Sequence, residues 1–382
     1  MRGCIIRRGK HSWRLKFDAG RDPVTGRRLT RLITVRGRRQ DAERALTKLL
    51  DAADCGTLAE PSKLTVKDYV GAWLDNPQGL SAKTAERYRQ LAEGQICPHL
   101  GALPLQKLRP AHIQDWHATL LKSGGKGGRP LGARTVGHAH RVLHRALARA
   151  AQAELIARNV ASIVKPPAVE HEEITALAAG QISDVLDRIK DHALFPIIAL
   201  ALGTGMRRGE LLALRWSCVD LDGAALRVEQ SLEETRDGLR FKSPKTKHGR
   251  RTISLPASAV TALRTHRVQQ LEQRLVLGLG RPDGDALVFS KLDGSPMSPD
   301  NLSRDWRRLT KAHKLPRVMF HALRHSHASA LIAAGLDVLA VARRLGHGSP
   351  VITLTTYAHL FQKSDTAAAS AIEAAMRTSK ER

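Results

Sequence analysis

Two short proline-containing breaks, Glu60-Pro61-Ser62 and Lys165-Pro166-Pro167, divide this chain into three segments with different hydrophobic periodicity. Strands place apolar residues with a period of two and helices with a period near 3.6, so a change of period at a break predicts a change of structure. With a length of 382 residues, the breaks predict three domains, over residues 1–58, 62–165 and 171–382. The predicted fold is multidomain and mainly α-helical, with small β-sheets in the first and last domains.

The first segment shows the period-two pattern of a half-buried strand. Apolar residues at positions 13, 15 and 17 alternate with Arg14 and Lys16, which is typical of a strand with one face buried. A second strand is expected from Arg28 to Val35. Apolar residues between Ala42 and Ala53 then recur at helical spacing. The pattern predicts a small sheet backed by a helix, with a basic outer face.

The charge of the chain indicates a polyanionic partner. The formal net charge is +26, and the first 50 residues hold 15 Lys and Arg against 4 Asp and Glu. Such an excess favours nucleic acid and makes binding depend strongly on salt. The alternatives are a basic face that only contacts solvent and a ribosomal or chaperone-like basic protein. The residues predicted to contact double-stranded DNA are Arg14, Lys16, Arg28, Arg31, Lys126, Arg134, Arg141 and Arg145.

The middle segment is predicted to be helical. Thr65 and Ser81 are candidate N-cap residues of its first two helices, because their hydroxyls can accept from the first free backbone N–H groups. A third apolar stripe includes Ile113 and Trp116, and a glycine-rich basic loop follows it. A long helix over residues 133–153 then carries an arginine stripe, and its alternative interpretation is a solvated face.

Five residues of the last segment have the chemistry needed to cut a phosphodiester. Two guanidiniums can grip phosphate oxygens and stabilise the transition state. Histidines can donate to the phosphate or move a proton. A tyrosine, with a reference pKa of about 10, is a nucleophile that needs such help near neutral pH. The five candidates, in chain order, are Arg207, His321, Arg324, His347 and Tyr357.

A zinc site is the competing interpretation of the histidine cluster. His321 and His325 are four positions apart, but Ala322 stands where a metalloprotease helix has its glutamate. The four cysteines are scattered and form no CxxC pair. The sequence therefore predicts no metal and no cofactor. His325 and His327 are expected to pack or to support their neighbours.

Four runs of this chain resemble the signature motifs of the tyrosine recombinases, and specifically of phage-type integrases. The runs are GTGMRRGELLALRW, HALRHSHAS, LGHGSP and TLTTYAHL, and their resemblance covers roughly the last half of the chain. The two preceding segments resemble the arm-binding and core-binding domains of those integrases. The resemblance implies a mixed α/β catalytic domain in which Tyr357 is the nucleophile, assisted by the other four candidates.

The same resemblance implies the reaction and the assembly. A site-specific integrase of a phage or another mobile element would cut attachment-site DNA, keep the bond energy in a 3′-phosphotyrosine and need no cofactor. Four protomers would act on two duplexes through a Holliday junction. The alternatives are a type IB topoisomerase and a catalytically silent DNA-binding protein. A DNA-bending host factor and a directionality factor are left open.

The lysine expected from the resemblance lies in a basic hairpin. Residues 242–251 contain His248-Gly249, which supplies turn chemistry. A lysine at the tip could enter the minor groove and protonate the leaving 5′ oxygen. Lys247, directly before the turn, is the first choice, and Lys245 is the alternative.

The expected location is the cytoplasm, in association with the nucleoid. The first residues lack the apolar core of a signal peptide. The longest apolar run, from Ala193 to Leu202, is too short to span a bilayer and contains Pro196. No membrane partner is expected.

Overall fold

The computed structural model describes residues 3–21, 26–54, 62–170, 175–244, 247–282, 285–361, 369–370, 372–374 and 376. The chain forms two compact units, Met1–His171 and Glu172–Arg382. Both combine helices with small sheets or turns, so the predicted mainly helical class with small sheets is confirmed. No helix within the described ranges is long and apolar enough to cross a membrane.

The first unit begins with an antiparallel sheet of three strands covered by one helix. The strands are β1 (Gly3–Gly9), β2 (Ser12–Arg21) and β3 (Arg28–Arg36), in the order β1-β2-β3, and the helix is α1 (Arg39–Asp54). Leu15 and Phe17 of β2 are buried together with Ala42 of α1. The alternation in the sequence therefore predicted correctly which face of β2 is buried. β1 had no clear alternation and was not predicted.

The rest of the first unit is helical. Its helices are α2 (Val66–Asp75), α3 (Ala82–Leu91), α4 (Cys97–Leu100), α5 (Pro110–Ser123) and α6 (Ala133–Gln152), with a π-helical turn over Ala92–Ile96. Their apolar faces share one core, which includes Val70, Ile113, Leu120 and Leu143. Because α6 presents a continuous buried stripe to that core, its opposite side is left to solvent.

The two predicted N-caps of this unit differ. Thr65 caps α2 as expected, since its hydroxyl accepts from Asp68 N at 3.2 Å and a capping box is complete. Ser81 occupies the N-cap position of α3 but makes no bond to a backbone N–H. Its hydroxyl instead lies 2.8 Å from the hydroxyl of Thr84. The expectation for Ser81 was therefore right in position and wrong in contact.

The second unit is a helical body with two small sheets. Its strands are β4 (Val219–Asp220), β5 (Ala225–Val228), β6 (Ser231–Thr235), β7 (Gly238–Lys242) and β8 (Arg251–Ser254). The strands form two separate groups, because β4, β5 and β8 make one sheet while β6 and β7 make a hairpin of their own. The helices are α7 (Ala179–Arg188), α8 (Phe195–Thr204), α9 (Arg208–Leu212), α10 (Ala257–Val276), α11 (Pro299–Ala312), α12 (Ala322–Ala333), α13 (Val338–Leu345) and α14 (Pro350–Tyr357).

Helix α8 lies at the centre of the second unit. It is apolar on all sides, and its residues from Pro196 to Leu202 are buried. A helix without a polar face has to be enclosed by other elements, and α10 and α12 pack against it. The residue that follows α8, Gly205, has a φ of +66° and ends the helix in the left-handed region. The chain is thereby turned directly into the segment that carries Arg207.

Candidate active site

Arg207 lies at the junction of α8 and α9, where it occupies the N-cap position of α9. The backbone that leads from α8 to Arg207 requires a glycine at position 205 for two reasons. The positive φ disfavours a side chain, and a Cβ on Gly205 would lie 2.6 Å from the ring of His327 and 2.8 Å from the side chain of Leu345. The backbone at Gly205, just before Arg207, is thus packed tightly against the helices α12 and α13.

Glu210 holds two arginines at once. Its Oε1 accepts from Arg207 Nη1 at 2.7 Å, and its Oε2 accepts from Arg207 N at 2.9 Å and from Arg251 Nη2 at 2.9 Å. Burial raises the pKa of this carboxyl, but the hydrogen bond and charge of Arg251 and the charge of Arg207 outweigh burial, so the pKa is lowered. Glu210 is therefore an ionised residue that orients both arginines.

Arg324 is held by backbone carbonyls. It is only 4% exposed, and its Nη1 and Nη2 donate to the carbonyls of Gly205 and Leu345, each at 2.7 Å. Arg207 is anchored in the same way, since its Nη2 donates to the carbonyl of Gly346 at 3.1 Å. Burial and the charge of Arg207 lower the pKa of Arg324 to about 9. The buried charge of Arg324 thus lies near a second positive charge, that of the partly exposed Arg207.

Tyr357 is the last residue of α14 and contacts a histidine of α12. Its hydroxyl lies 2.6 Å from Nδ1 of His325. The tyrosine is 2% exposed, and burial raises its pKa to about 12, although the charge of Arg324 acts in the opposite direction. His325 was expected to pack or to support its neighbours, and its hydrogen bond to the Tyr357 hydroxyl agrees with the second of these alternatives.

His321 and His347 both lie near the charges of Arg324 and Arg207. His321 stands directly before α12, with its ring at 5.0 Å and 89° to that of His325. His347 follows α13, and its Nδ1 lies 2.8 Å from the hydroxyl of the buried Thr353. Burial lowers the pKa of each to about 4, with contributions from Arg324 and Arg207 in both cases. Both imidazoles are therefore neutral at neutral pH.

The remaining histidine of the cluster has a purely structural environment. The Nδ1 of His327 donates to the carbonyl of Leu202 at 2.7 Å, and its Nε2 accepts from Nε of Arg344 at 3.0 Å. Both ring nitrogens are occupied, and the ring is 6% exposed. His327 therefore joins α12 to α8 and α13 and has no nitrogen left for another partner. No group of three metal-ligating side chains occurs among the residues that the structure describes.

The lysine hairpin is described only in part. Lys245 lies outside the described residues, and Lys247 begins a short helical turn over Lys247–Gly249 whose description does not extend to the Lys247 side chain. Arg251, at the end of the hairpin, lies within the described residues. Its side chain is 7% exposed, and its Nε donates to the carbonyl of Arg344 at 2.8 Å. The choice between the two lysines stays a prediction.

Gly346 joins this hairpin to the histidine turn. It has a φ of +68°, and a Cβ there would lie 2.8 Å from Nη1 of Arg251 and 2.9 Å from the carbonyl of His248. The turn that carries Lys247 is thus in close contact with the residue before His347. Sequence reasoning missed Arg251 and Thr353, and neither stands out by spacing; His325 gave a signal, since it is four positions after His321.

The predicted DNA-contact residues of the sheet do not share one face. Arg14 and Lys16 alternate with the buried residues of β2 and so lie on the face that α1 leaves open. Arg28 lies at the start of β3 and pairs with Asp18 at 2.6 Å. Arg31, however, is opposite Phe17 in the register. Cross-strand partners point to the same side of a sheet, so Arg31 belongs to the side that α1 covers.

The predicted DNA-contact residues of the helical part lie on exposed surface. Arg134, Arg141 and Arg145 are exposed on α6, at spacings of seven and four that place them on one side of the helix. The pKa of His138, between them, is lowered by burial and then by the charges of Arg141, Arg87 and Arg134. The residue Arg87 of α3 was not predicted and adds to this positive surface. Lys126 is also exposed, in the loop before α6.

Comparison with known proteins gives the family of the chain. The model of the phage integrase family matches residues 169–364, and the model of the phage integrase N-terminal SAM-like domain matches residues 65–121. A XerC-like tyrosine recombinase of Caldanaerobacter subterraneus is 25% identical, over 94% of this chain and 95% of its own length. An integrase of Streptomyces ambofaciens is 29% identical, over 91% and 89%.

Two solved structures share the fold. The Tn1549 transposon integrase in complex with a circular intermediate DNA aligns with a TM-score of 0.68 at 22% identity, over 81% of this chain and 99% of its own. The lambda integrase tetramer bound to a Holliday junction aligns with a TM-score of 0.56 at 19% identity, over 90% and 92%. Since the family model spans half of the sequence and includes all five residues that the second unit gathers around Arg324, the chain belongs to the phage integrase family.

Proposed function

We propose that this chain is a site-specific DNA integrase that cuts and rejoins strands through a 3′-phosphotyrosine on Tyr357. The observation that carries the proposal is the pair of guanidiniums of Arg207 and Arg324, held close together by three carbonyls and one carboxylate. Burial, followed by the like charge of Arg207, lowers the pKa of Arg324. An anion bound between the two guanidiniums would offset their repulsion. A phosphodiester is the anion expected there, because a tyrosine nucleophile lies nearby and the chain is strongly basic.

The geometry gives each residue a task. Arg207 and Arg324 bind the non-bridging oxygens and stabilise the charge that develops on the pentacoordinate phosphorus. His321 and His347 are neutral, so each can donate one N–H to the phosphate without adding charge of its own. Tyr357 Oη forms the new bond to phosphorus while the bond to the 5′ oxygen breaks. Lys247 supplies the proton to that oxygen, with Lys245 as the alternative.

The rejoining step needs no external energy source. The phosphotyrosine keeps the energy of the broken phosphodiester, and the 5′ hydroxyl of a partner strand displaces the tyrosine. The two arginines supply the charge that the transition state needs, so the chemistry proposed here routes no step through a metal. Exchange of strand pairs requires four protomers on two duplexes. The likeness in fold to the lambda integrase tetramer on a Holliday junction supports this arrangement.

The first unit is proposed to hold the DNA. The three-domain division, with the sheet of residues 1–58 on arm-type sites and the helices of residues 62–165 on core sites, agrees with their separate apolar cores. The exposed arginines of α6 and the open face of β2 carry the phosphate contacts. Arg141→Ala should weaken binding to all duplexes about equally and reduce the slope of log affinity against log salt by about 1. A change confined to one sequence would assign Arg141 to base recognition instead.

The nucleophile is tested with a nicked core duplex. The duplex contains the proposed core site, the short repeat expected at the two ends of the integrated element. A nick beside the cleavage position lets the short DNA strand diffuse away after cleavage, so that the covalent adduct is trapped. The wild-type protein should give an SDS-resistant adduct through a 3′ phosphate, with or without EDTA. Peptide mapping should place the nucleotide on Tyr357.

The control variants separate chemistry from folding. Tyr357→Phe removes one oxygen, so DNA binding should persist and the adduct should disappear. Tyr69→Phe removes a phenol oxygen in the first unit and should leave the adduct unchanged. Undiminished cleavage by Tyr357→Phe, or an adduct on another residue, would refute the proposal. An adduct that is never transferred to a partner strand would indicate a relaxing enzyme of the topoisomerase type. Dependence on a DNA-bending host factor or a directionality factor is measured by adding cell extract to the same reaction.

A further inference from the structure

The phenol of Tyr357 has one hydrogen-bond partner among the described side chains, and that partner is His325. The distance of 2.6 Å from Oη to Nδ1 is short for such a bond. The two rings are 5.7 Å apart, at 57° to each other. The bond joins two helices, since His325 belongs to α12 and Tyr357 ends α14. The contact is thus made by the atom that has to lose its proton before or during attack.

The charges around the pair fix the direction of this bond. Burial and the charge of Arg324 lower the pKa of His325, and burial raises that of Tyr357 to about 12. In the free protein the proton therefore stays on the oxygen, and Nδ1 accepts. A neutral imidazole that accepts at Nδ1 carries its own proton on Nε2. His325 thus has an open basic nitrogen at the position where a proton has to be received.

The other neighbours of His325 make it a weak base until an anion arrives. They are His321, whose ring stands edge-on at 5.0 Å, Arg324 in the same helix, and His347, whose pKa His325 helps to lower. None of these is a carboxylate. A phosphate that binds Arg324 brings the negative charge that the group lacks, and an adjacent anion favours the protonated imidazole. Basicity at His325 would then rise when the scissile phosphate is in place.

We propose that His325 is the proton acceptor for Tyr357 in strand cleavage. As Oη forms its bond to phosphorus, the Oη–H bond breaks and the proton moves to Nδ1, which gives an imidazolium. The electron pair of the broken phosphorus–oxygen bond stays on the 5′ oxygen, which takes a proton from the hairpin lysine. On rejoining, the 5′ hydroxyl gives its proton back to the lysine as it bonds to phosphorus, and the imidazolium returns its proton to the departing phenolate. The inference rests on the proposed function, because it needs Tyr357 as the nucleophile.

The experiment compares two replacements of His325 in the full chain on the nicked core duplex. His325→Ala removes both the bond and the base. His325→Gln can still accept a hydrogen bond from Oη but cannot take up a proton near neutral pH. If His325 is the proton acceptor, both variants should form the adduct about 100- to 10,000-fold more slowly at pH 7, with affinity for the duplex unchanged. If His325 only holds the ring, Gln should restore most of the rate.

A second readout reports on the proton itself. In both variants the rate should rise about tenfold per pH unit at a pH where the wild-type rate is already level. Replacing Tyr357 by 3-fluorotyrosine lowers the pKa of the phenol and should accelerate the variants far more than the wild-type protein. His313→Ala, a histidine outside the site, serves as the control and should behave as the wild type.

The outcomes distinguish the two proposals. No adduct with the wild-type protein would sink the proposed function. An adduct with the wild type, together with a wild-type rate or pH profile in His325→Gln, would overturn the role of His325 alone. Equal acceleration of wild type and variants by 3-fluorotyrosine would also overturn it. Circular dichroism and melting of His325→Gln, which keeps the bond between α12 and α14, check that the fold is intact.

Discussion

The replacement of Glu210 by glutamine tests how the arginines of the site are held. The carboxylate accepts four hydrogen bonds, from Arg207 at 2.7 and 2.9 Å and from Arg251 at 2.9 and 3.4 Å, and it is 3% exposed. An amide keeps one acceptor oxygen and replaces the other by a donor. Two of the four contacts would then set donor against donor, and the buried side chain of Arg251 would lose its counter-charge. Breaking a buried ion pair in this way costs about 3–5 kcal/mol.

The expected consequence is a large loss of stability in the second unit. For a unit of this size, each kcal/mol lowers the melting temperature by about 2–4 °C, so Glu210→Gln should melt about 6–20 °C below the wild type. Cleavage should fall as well, because Arg207 loses its anchor. The matched control is Asp184→Asn, which breaks an exposed pair with Arg188 and should remove no more than about 1 kcal/mol. If calorimetry gives both variants the same small shift, the reasoning about the buried charges is wrong.

Three further predictions concern the lysine, the buried histidines and the first domain. Lys247→Ala should slow cleavage far more than Lys245→Ala, and a 5′-bridging sulfur should rescue only the former; rescue of Lys245→Ala would assign the role to that residue. His140, 4% exposed, has its pKa lowered to about 4 by burial and by neighbouring histidines, so the unfolded chain binds its proton first. The contribution of His140 to stability should therefore fall as pH falls from 6.5 towards 4, by about 2 kcal/mol between pH 7 and pH 5, and urea titrations of His140→Gln should show a correspondingly smaller loss than those of the wild type. Deletion of residues 1–58 should spare cleavage of the nicked core duplex and weaken integration; complete loss of cleavage by a folded truncation would contradict the modular division.

The parts of the fold that could be predicted depend on local sequence. The capping box of Thr65 is complete within four residues, so its bonds follow from the sequence alone. Ser81 has the same chemistry, but a neighbouring hydroxyl at Thr84 competes for it. Strand β1 was missed because it owes its structure to pairing with β2 rather than to its own alternation. The face of Arg31 was also set by pairing, which its own neighbourhood does not reveal.

The parts of the site that could be predicted are those with a chemical signature. Arg207, His321, Arg324, His347 and Tyr357 belong to motifs whose order and chemistry indicate phosphoryl transfer, and the structure brings these five together. The supporting residues have no such signature. His325 meets Tyr357 across 32 positions, and Arg251 meets Glu210 across 41. Such contacts are decided by how α12, α14 and β8 pack, which no local pattern specifies.

Both arginines are anchored on the carbonyls of residues 345 and 346, so the site can form only late in translation. A ribosome releases the chain from its first residue, and domains fold as they emerge. The basic sheet and the arginine face of α6 are therefore complete long before Leu345 and Gly346 are made. Until then Arg324 lacks one of its two carbonyl partners and Arg207 lacks its carbonyl partner, and Tyr357 has not yet been added. During translation, the segments suited to holding DNA are in place before any group that can cut it.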